Sequence, residues 1–442
     1  MNIQLCEHFT YKKLLRFSVP SIIMMIFTSI YGVVDGIFVS NFVGKTPFAA
    51  INLIMPVLML VGSLGFMIGT GGSALVSKIM GAGDTKKANG IFSMLIYVSS
   101  VFAVIISAIG FVFIEQIASL LGAEGEMLAD CVLYSRILLP FTVAFVLQNE
   151  FQSFLIAAEK PQLGLFITVA AGVTNIVLDA LFIAVFNLGL AGAAWATGIS
   201  QCVGGIIPLI YFIVSKKTTL RLSKADFDIK ALIKTCTNGS SEMMTNLSMS
   251  TVNMLYNFQL MNVAGENGIA AYGVIMYVNF IFVSVFLGYS IASAPIISFH
   301  YGAENHGELK NLLKKSLVII SVFAVVMTAA AEILAKPLSG IFVSYDRELF
   351  EMTTRGFMLF SLSFIFMGFN IFGSSFFTAL NNGLVSAIIS FARTLLFQVI
   401  AVLTLPLVLG LDGIWLAVVA AELISIAVTV FFTIIMKKKY NY

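Results

Sequence analysis

Long unbroken runs of apolar residues, separated by short polar segments, dominate this sequence. The run Leu95–Ile114 is typical, and a helix needs ~20 such residues to cross a bilayer. The strands of a membrane barrel would instead alternate polar and apolar residues. Because the runs are continuous, they predict spanning helices, and the expected fold class is an all-α integral membrane protein.

Hydropathy and helix-breaking residues predict twelve spans. They are 15–39, 48–76, 91–115, 133–158, 163–186, 191–214, 237–263, 269–299, 316–335, 356–380, 385–409 and 413–436. The composition agrees, since 59% of the 442 residues are hydrophobic and 11% are charged. Soluble domains carry roughly 25% charged residues, so a soluble globular protein is excluded.

The two halves of the chain repeat at a constant offset of 221 residues. Asn41–Gly44 matches Asn262–Gly265, and the LGLAG motif at Leu188–Gly192 matches LGLDG at Leu409–Gly413. Each half would hold six spans, an even number, so the repeats run parallel and form two six-helix lobes. Duplications of this kind build transporters whose lobes rock around a site between them.

The longest polar connection separates the sixth span from the seventh. It predicts an N-lobe at residues 1–214, an inter-lobe loop at 215–235 and a C-lobe at 236–442. Of the 25 basic residues, 19 fall on the side of this loop and both termini, and five fall on the other side. Six of the 19 lie between Lys216 and Lys234. By the positive-inside rule, this distribution predicts a cell-membrane protein with both termini in the cytoplasm.

Composition and motifs exclude several classes of function. A net charge of +3 with scattered basic residues does not favour nucleic-acid binding. The four cysteines form no CxxC pair and the three histidines have no ligand spacing, so neither disulfides nor a metal site is expected. The spans contain no catalytic cluster, and no phosphate-binding loop ends in GK[ST]. We therefore expect a transporter rather than an enzyme, and a proton or sodium gradient as its energy source. No cofactor and no obligate protein partner are expected.

Ionisable residues inside spans are the main functional candidates, because each costs at least ~2.5–3.5 kcal/mol to insert. Asp35 in the first span and Asp179 in the fifth lie roughly 6–10 Å from the outer ends of their spans. Asn175 is one turn from Asp179 on the same helix face, and Thr197 in the sixth span falls at a similar depth. Together, the carboxylates, the amide and the hydroxyl at this depth of the bundle could exchange a proton or hold a sodium ion.

The internal repeat provides a control for this cluster. Asp35 corresponds to Tyr256 in the second half, Asn175 to Leu396 and Asp179 to Ile400. A polar contact that only fixed helix packing could have persisted in both halves, but the cluster exists only in the first. The one-sided arrangement favours a functional role over the packing role.

These residues resemble those of the multidrug and toxic compound extrusion (MATE) family. The resemblance is carried by VDGIFV at Val34–Val39, GAGD at Gly81–Asp84, Asn175 with Asp179, and Leu188–Gly192. It covers essentially the whole chain. It implies two six-helix lobes, drug binding between them and cation-driven antiport.

By the same resemblance, the family's cation site in the N-lobe corresponds to Asp35, Asn175, Asp179 and Thr197. An amide from the fourth span would correspond to Gln152, although its estimated depth is further inward than that of the others. Some family members also use an acid deep in the seventh span. Here Glu242 lies near the inner end of that span, and the role is not transferred to it.

One face of the seventh span is polar. Asn246, Ser250, Asn253 and Asn257 fall within about 60° of one another around the helix. This face could line a substrate cavity between the lobes, or it could form hydrogen bonds to neighbouring helices.

We predict a secondary active multidrug efflux transporter that exchanges cationic, amphipathic drugs for inward cations by alternating access. Protons are favoured over sodium as the coupling ion, and its partners are hydrophobic cations and membrane lipid. The main alternative is a lipid-linked oligosaccharide flippase of similar architecture, which would need several basic residues in its cavity. Arg393 is the single basic residue deep in a span, and Glu422 is its expected ion-pair partner, so the flippase is disfavoured.

Overall fold

The computed structural model describes residues 3–215 and 218–442, where the chain forms a bundle of long helices. Lys216 and Lys217, counted above with the basic loop, lie outside the described residues. The first half contains α1 (Tyr11–Phe42), α2 (Lys45–Gly81), α3 (Thr85–Leu120), α4 (Gly125–Leu138), α5 (Thr142–Ala157), α6 (Pro161–Asp179) and α7 (Gly189–Val214). The second half contains α8 (Ile229–Gly302), α9 (His306–Val343), α10 (Arg347–Ser361), α11 (Phe364–Ala379), α12 (Gly383–Phe391), α13 (Phe397–Thr404) and α14 (Pro406–Tyr440).

Twelve spans result from these helices. Within the described ranges, ten helical stretches are long and apolar enough to cross a membrane, where α4 with α5 and α12 with α13 each count as one stretch. Helices α10 and α11, which meet at a 49° bend, add an eleventh span. Helix α8 has 74 residues, so it would be ~110 Å long if straight, against a hydrocarbon core of ~30 Å. Its backbone breaks at Gly265, where φ is 63° and ψ is −151°. The break divides α8 into two spans, and the all-α prediction is confirmed.

The backbone breaks recur at the 221-residue offset. Gly44 (φ 125°) separates α1 from α2, and its counterpart Gly265 (φ 63°) breaks α8. Gly189 begins α7 with a φ of 57°, and its counterpart Gly410 has the same φ inside α14. Glycine adopts these left-handed angles without the strain of a Cβ atom. The motifs shared by the two halves therefore mark equivalent turns between spans.

The two halves approach closely at the end of the bundle where α2 and α8 finish. A Cβ atom added at Gly81 would lie 2.0 Å from the carbonyl oxygen of Phe299, and one added at Gly302 would lie 1.9 Å from that of Lys78. Helix backbones can pack this tightly only where no side chain separates them. We call this end of the bundle the terminal face, because both chain termini lie on it.

The N-terminal segment, residues 3–10, crosses the terminal face and contacts both halves. The backbone N–H of Leu5 donates to Oε1 of Glu159, between α5 and α6, at 2.8 Å. The N–H of Phe9 donates to Oε1 of Glu308 in α9 at 2.9 Å. The aromatic C-terminal residues pack on the same face. Both termini, the C-terminal end of α5 and the N-terminal end of α9 therefore lie on one side of the bundle.

The polar connection between the halves is short. Helix α8 begins at Ile229, where the carboxylate of Asp228 accepts the N–H groups of Lys230 and Ala231. Residues 229–235, expected in the inter-lobe loop, thus form the first turns of α8. The cap explains the early start, because an Asp in this position satisfies backbone donors that would otherwise be free.

Candidate functional site

The first half encloses a cavity of about 310 Å³ among α1, α2, α5, α6 and α7. Helices α1 and α6 pack closely beside it, because a Cβ atom at Gly172 of α6 would lie 2.5 Å from the ring of Phe27. The polar residues lining the cavity are Thr28, Tyr31, Asp35, Thr142, Gln148, Asn175, Thr197, Ser200 and Gln201. Three predicted site residues, Asp35, Asn175 and Thr197, therefore line one cavity.

Asp179 lies beside this cavity at the last residue of α6, where the backbone passes into the π-helical segment Ala180–Val185. Its side chain is fully buried, and neither carboxyl oxygen has a hydrogen-bond partner among the described residues. The same is true of Oδ1 of Asp35, Oδ1 of Asn175 and Oγ1 of Thr197. Buried polar atoms are normally hydrogen-bonded. Five such oxygens in one region indicate a site that a proton or a cation would satisfy.

The carboxyl groups of Asp35 and Asp179 lie near each other, so that the charge on one acts on the other across any contact they make. Two ionised carboxylates can only accept hydrogen bonds, so the contact becomes a hydrogen bond only when one group carries a proton. A cation bound between them would serve the same purpose. The geometry thus suits either a shared proton or an oxygen-coordinated metal cation.

The fourth span contributes Gln148 to this cavity. Gln152, the amide suggested by resemblance, is one helical turn further along α5 and is not among the lining residues. Its depth in the span already made it the least suitable candidate. Of the two amides, Gln148 is therefore the one that the structure places in this cavity.

The four residues on the polar face of the seventh span lie in different environments. Asn253 lines a second cavity, in the other half, and accepts a hydrogen bond from the hydroxyl of Tyr272 at 2.7 Å. Asn246 donates to the backbone carbonyl of Glu242 one turn earlier, while Ser250 and Asn257 are exposed. Of the four, Asn253 is therefore the residue that the structure brings into a described cavity.

Arg393 and Glu422 form the ion pair expected from the sequence. Nη1 of Arg393 donates to Oε1 of Glu422 at 3.2 Å. The other carboxyl oxygen of Glu422 accepts from Nδ2 of Asn370 at 2.8 Å. The pair is buried among α11, α14 and the π-helical segment Ala392–Leu396.

Glu150 is a candidate that the sequence analysis overlooked. It lies in α5 with a fully buried side chain, and neither of its carboxyl oxygens has a partner in the described part of the chain. A Cβ atom at Gly69 of α2 would lie 3.0 Å from Cα of Glu150, so the backbone at Glu150 packs tightly against α2. The rule that singled out Asp35 and Asp179, an acid inside a span, would also have found it within span 133–158.

The fold and the repeated halves define a multi-span membrane transporter. The sequence profile of the MatE family matches residues 20–181 and 243–403, once in each half. The two matches together cover more than half of the chain. The chain belongs to the MatE family, which confirms the resemblance inferred from the sequence and makes the protein a transporter rather than an enzyme.

The chain is similar to the multidrug export protein MepA of two bacteria. It is 27% identical to MepA of Staphylococcus aureus (strain NCTC 8325 / PS 47) over 350 residues, which are 78% of this chain and 76% of the relative. It is 27% identical to MepA of Staphylococcus saprophyticus over 368 residues, 81% and 80% of the two chains. These lengths include both halves of the repeat.

Solved structures share the fold over nearly the whole length. An outward-facing conformation of a multidrug resistance MATE family transporter of the MOP superfamily matches with a TM-score of 0.93 and 24% identity, covering 100% of this chain and 98% of that one. A crystal structure of MATE in complex with MaL6 matches with a TM-score of 0.92 and 24% identity, covering 98% of both chains. The prediction of two repeated helical lobes is thus confirmed.

Proposed function

We propose that this protein is a secondary active multidrug efflux transporter, which exports cationic amphipathic molecules in exchange for inward cations. One observation carries the proposal. Buried oxygens of Asp35, Asn175, Asp179 and Thr197 lie without hydrogen-bond partners, among the described residues, in and beside a single cavity. A cation, either a proton or the positive end of a drug, is the ligand that would satisfy them.

The proton is our preferred coupling ion. The two carboxyl groups, which lie near each other, can share one proton and thereby turn an unfavourable contact into a hydrogen bond. Release of that proton leaves a negative site that attracts the cationic drug, so proton and drug bind alternately. The name of the MepA relatives, multidrug export protein, agrees with this direction of transport.

Alternating access is the mechanism that the shape of the molecule supports. The lobes, which we assign to residues 1–214 and 236–442 with the linker at 215–235, pack tightly at the terminal face through Gly81 and Gly302. Opening that contact while closing the opposite end would move the cavity from one side of the membrane to the other. We further propose that the terminal face is cytoplasmic and that the protein resides in the cell membrane.

The flippase alternative receives no support from the cavity chemistry. A pyrophosphate-linked substrate would need several free cationic side chains. Among the residues that line the two cavities described above, one in each half, Arg393 is the basic one, and its charge is already paired with Glu422.

Ethidium efflux from membrane vesicles tests the proposal directly. A pH gradient and a sodium gradient are imposed separately on vesicles that contain equal amounts of wild-type protein or the Asp35→Asn variant. We expect the pH gradient to drive efflux in the wild type only. Efflux driven by sodium alone would reject the proton, and efflux that needs neither gradient would reject secondary active transport.

A further inference from the structure

The N-terminal segment, residues 3–10, docks on the half of the molecule opposite to the helix that follows it. Helix α1 begins directly after this segment and packs against α6 of its own half. In contrast, the side chains of Leu5 and Phe9 are 0% exposed, in an apolar cluster formed mostly by residues of the second half, such as Leu309 and Leu312. The start of the first span is therefore fixed to the other half.

Glu308, near the start of α9, is the main anchor of this segment. Its Oε1 accepts the backbone N–H of Phe9 at 2.9 Å, and its Oε2 lies 2.6 Å from Nδ1 of His8. The backbone carbonyl of Phe9 accepts from Nδ2 of Asn311 at 3.1 Å and from Nζ of Lys315 at 2.6 Å. Hydrogen bonds to charged groups are the stronger ones. Three side chains of α9 thus hold the backbone of one residue, Phe9.

The linker segment, residues 218–228, makes the corresponding contacts in the opposite direction. It precedes α8, the first helix of the second half, and docks on α3 of the first half, where the N–H of Ser223 donates to Oγ of Ser93 at 2.8 Å. This part of α3, residues 89–94, corresponds to residues 310–315 of α9 after the 221-residue offset is applied. In each half, the first helix is therefore preceded by a segment that the other half holds at an equivalent place.

The N-terminal segment also spans the two halves at the terminal face. The N–H of Leu5 donates to Oε1 of Glu159 in the first half, and the N–H of Phe9 donates to Glu308 in the second. The four residues from Leu5 to Phe9 can extend to at most ~14 Å. Once the halves move further apart than this length permits, one of the two ends has to detach.

We propose that the N-terminal segment is a strap that holds the terminal face closed, and that it must detach from α9 before the halves can separate there. Detachment breaks the hydrogen bonds of Phe9 to α9 and removes its ring from the apolar cluster, so the strap favours the closed state. This inference rests on the alternating-access mechanism proposed above. It assigns the control of opening to a contact that lies outside the cavity.

A distance across the terminal face tests the proposal. Spin labels at Lys86 in α3 and Lys438 in α14, both exposed and in different halves, are introduced into the full chain with its four cysteines replaced. Pulsed electron paramagnetic resonance in detergent then gives the distance distribution. The test variants are Glu308→Ala, which removes the anchor, and a deletion of residues 3–9, which removes the segment. Glu332→Ala is the matched control, because this acid of α9 accepts a hydrogen bond from Ser361 of its own half at 2.8 Å.

We expect the ratio of open to closed molecules to rise at least about tenfold in Glu308→Ala, the effect of losing hydrogen bonds to a charged group. The deletion should raise this ratio further, because it also removes the buried side chains, and Glu332→Ala should leave it unchanged. Glu308→Ala added to the deletion should have no additional effect, since both changes remove the same contact.

Each other outcome contradicts the strap. Unchanged distances in Glu308→Ala would reject it, even if the deletion variant failed to fold. An equal shift in Glu332→Ala would show a general weakening of α9, and an additional shift in the combined variant would show that Glu308 acts through another contact. These outcomes leave the proposed function intact. Conversely, wild-type vesicles that export no ethidium under either gradient would reject the proposed function, while the distances would still report whether the strap closes this face.

Discussion

Asp35 and Asp179 belong to different helices, and the packing of α1 against α6, which is close at Gly172, brings the two carboxyl groups near each other. An acid that only stabilised helix packing would tolerate replacement by its amide, which keeps the size and a hydrogen-bonding oxygen. An acid that must gain and lose a proton would not.

We therefore expect Asp35→Asn and Asp179→Asn each to abolish efflux driven by a pH gradient, while the protein still folds and inserts. The measurement is ethidium efflux from vesicles at equal membrane expression. Glu242→Gln is the control, since it removes an acid from a different place in the bundle, where Glu242 lines a small cavity of about 30 Å³. Wild-type efflux by either Asn variant would remove the pair from the coupling site.

Drug binding should also depend on pH through the same pair. Protonation neutralises the negative site that attracts a cationic drug, so affinity for ethidium in detergent should fall as the pH is lowered. Asp35→Asn should flatten this dependence, and Glu242→Gln should leave it largely unchanged. The opposite pattern, with Glu242→Gln flattening the curve, would place coupling in the second half of the chain.

Most residues of this candidate site came from one rule, that an ionisable residue inside a membrane span requires an explanation. The rule identified Asp35 and Asp179, and helix periodicity added Asn175. Gln148 was missed in favour of Gln152 because the two differ by one turn, and hydropathy locates depth only to within a few residues. Which side chains would lack partners depends on packing between helices, which no single-sequence pattern reports.

At the level of the helices, the tight contact between α2 and α8 controls the terminal face. An added methyl group at Gly302 would meet the carbonyl oxygen of Lys78 at 1.9 Å, and backbone cannot move aside as a side chain can. Gly302→Ala should therefore separate the two helices by at least about 1 Å and favour opening of this face.

Spin labels at Lys86 and Lys310, both exposed and in different halves, would report the separation in a background whose four cysteines are replaced. We expect Gly302→Ala to lengthen or broaden the distance distribution. Gly273→Ala, in the same helix but with no atom within 4 Å of the new Cβ, is the matched control and should leave the distribution unchanged. Identical distance distributions for Gly302→Ala, Gly273→Ala and the protein without either substitution would show that Gly302 does not limit opening.

Helix positions were predictable because hydropathy runs are long, whereas helix breaks were not. The sequence placed a gap between spans seven and eight, yet α8 continues through it as a helix interrupted only at Gly265. Similarly, the predicted start of the seventh span at 237 gave no sign of the cap at Asp228, after which α8 begins at Ile229. Local capping and single-residue dihedral changes leave little trace in a hydropathy profile.

For the whole molecule, the orientation that we propose in the membrane rests on the distribution of basic residues. A cysteine at Lys224, exposed in the linker, should be protected from an impermeant thiol reagent in intact cells. A cysteine at Glu124 should be labelled, since it is exposed between α3 and α4 at the opposite end. Ala123 is unsuitable because it is buried. Reversed labelling, measured in the cysteine-replaced background, would invert the topology and with it the direction of export.

The glycine contact at the terminal face has a symmetry of its own. Gly81 and Gly302 are 221 residues apart, and so are their contact partners Lys78 and Phe299. Each half thus uses the same surface against the other, as two copies of one chain do across a two-fold axis. A single six-span ancestor would have made both contacts by pairing with a second copy of itself. One substitution to glycine would then have removed the side chain from both contacts at once. In the fused chain each position mutates alone, which released the halves to diverge into one acidic cavity and one that contains an arginine.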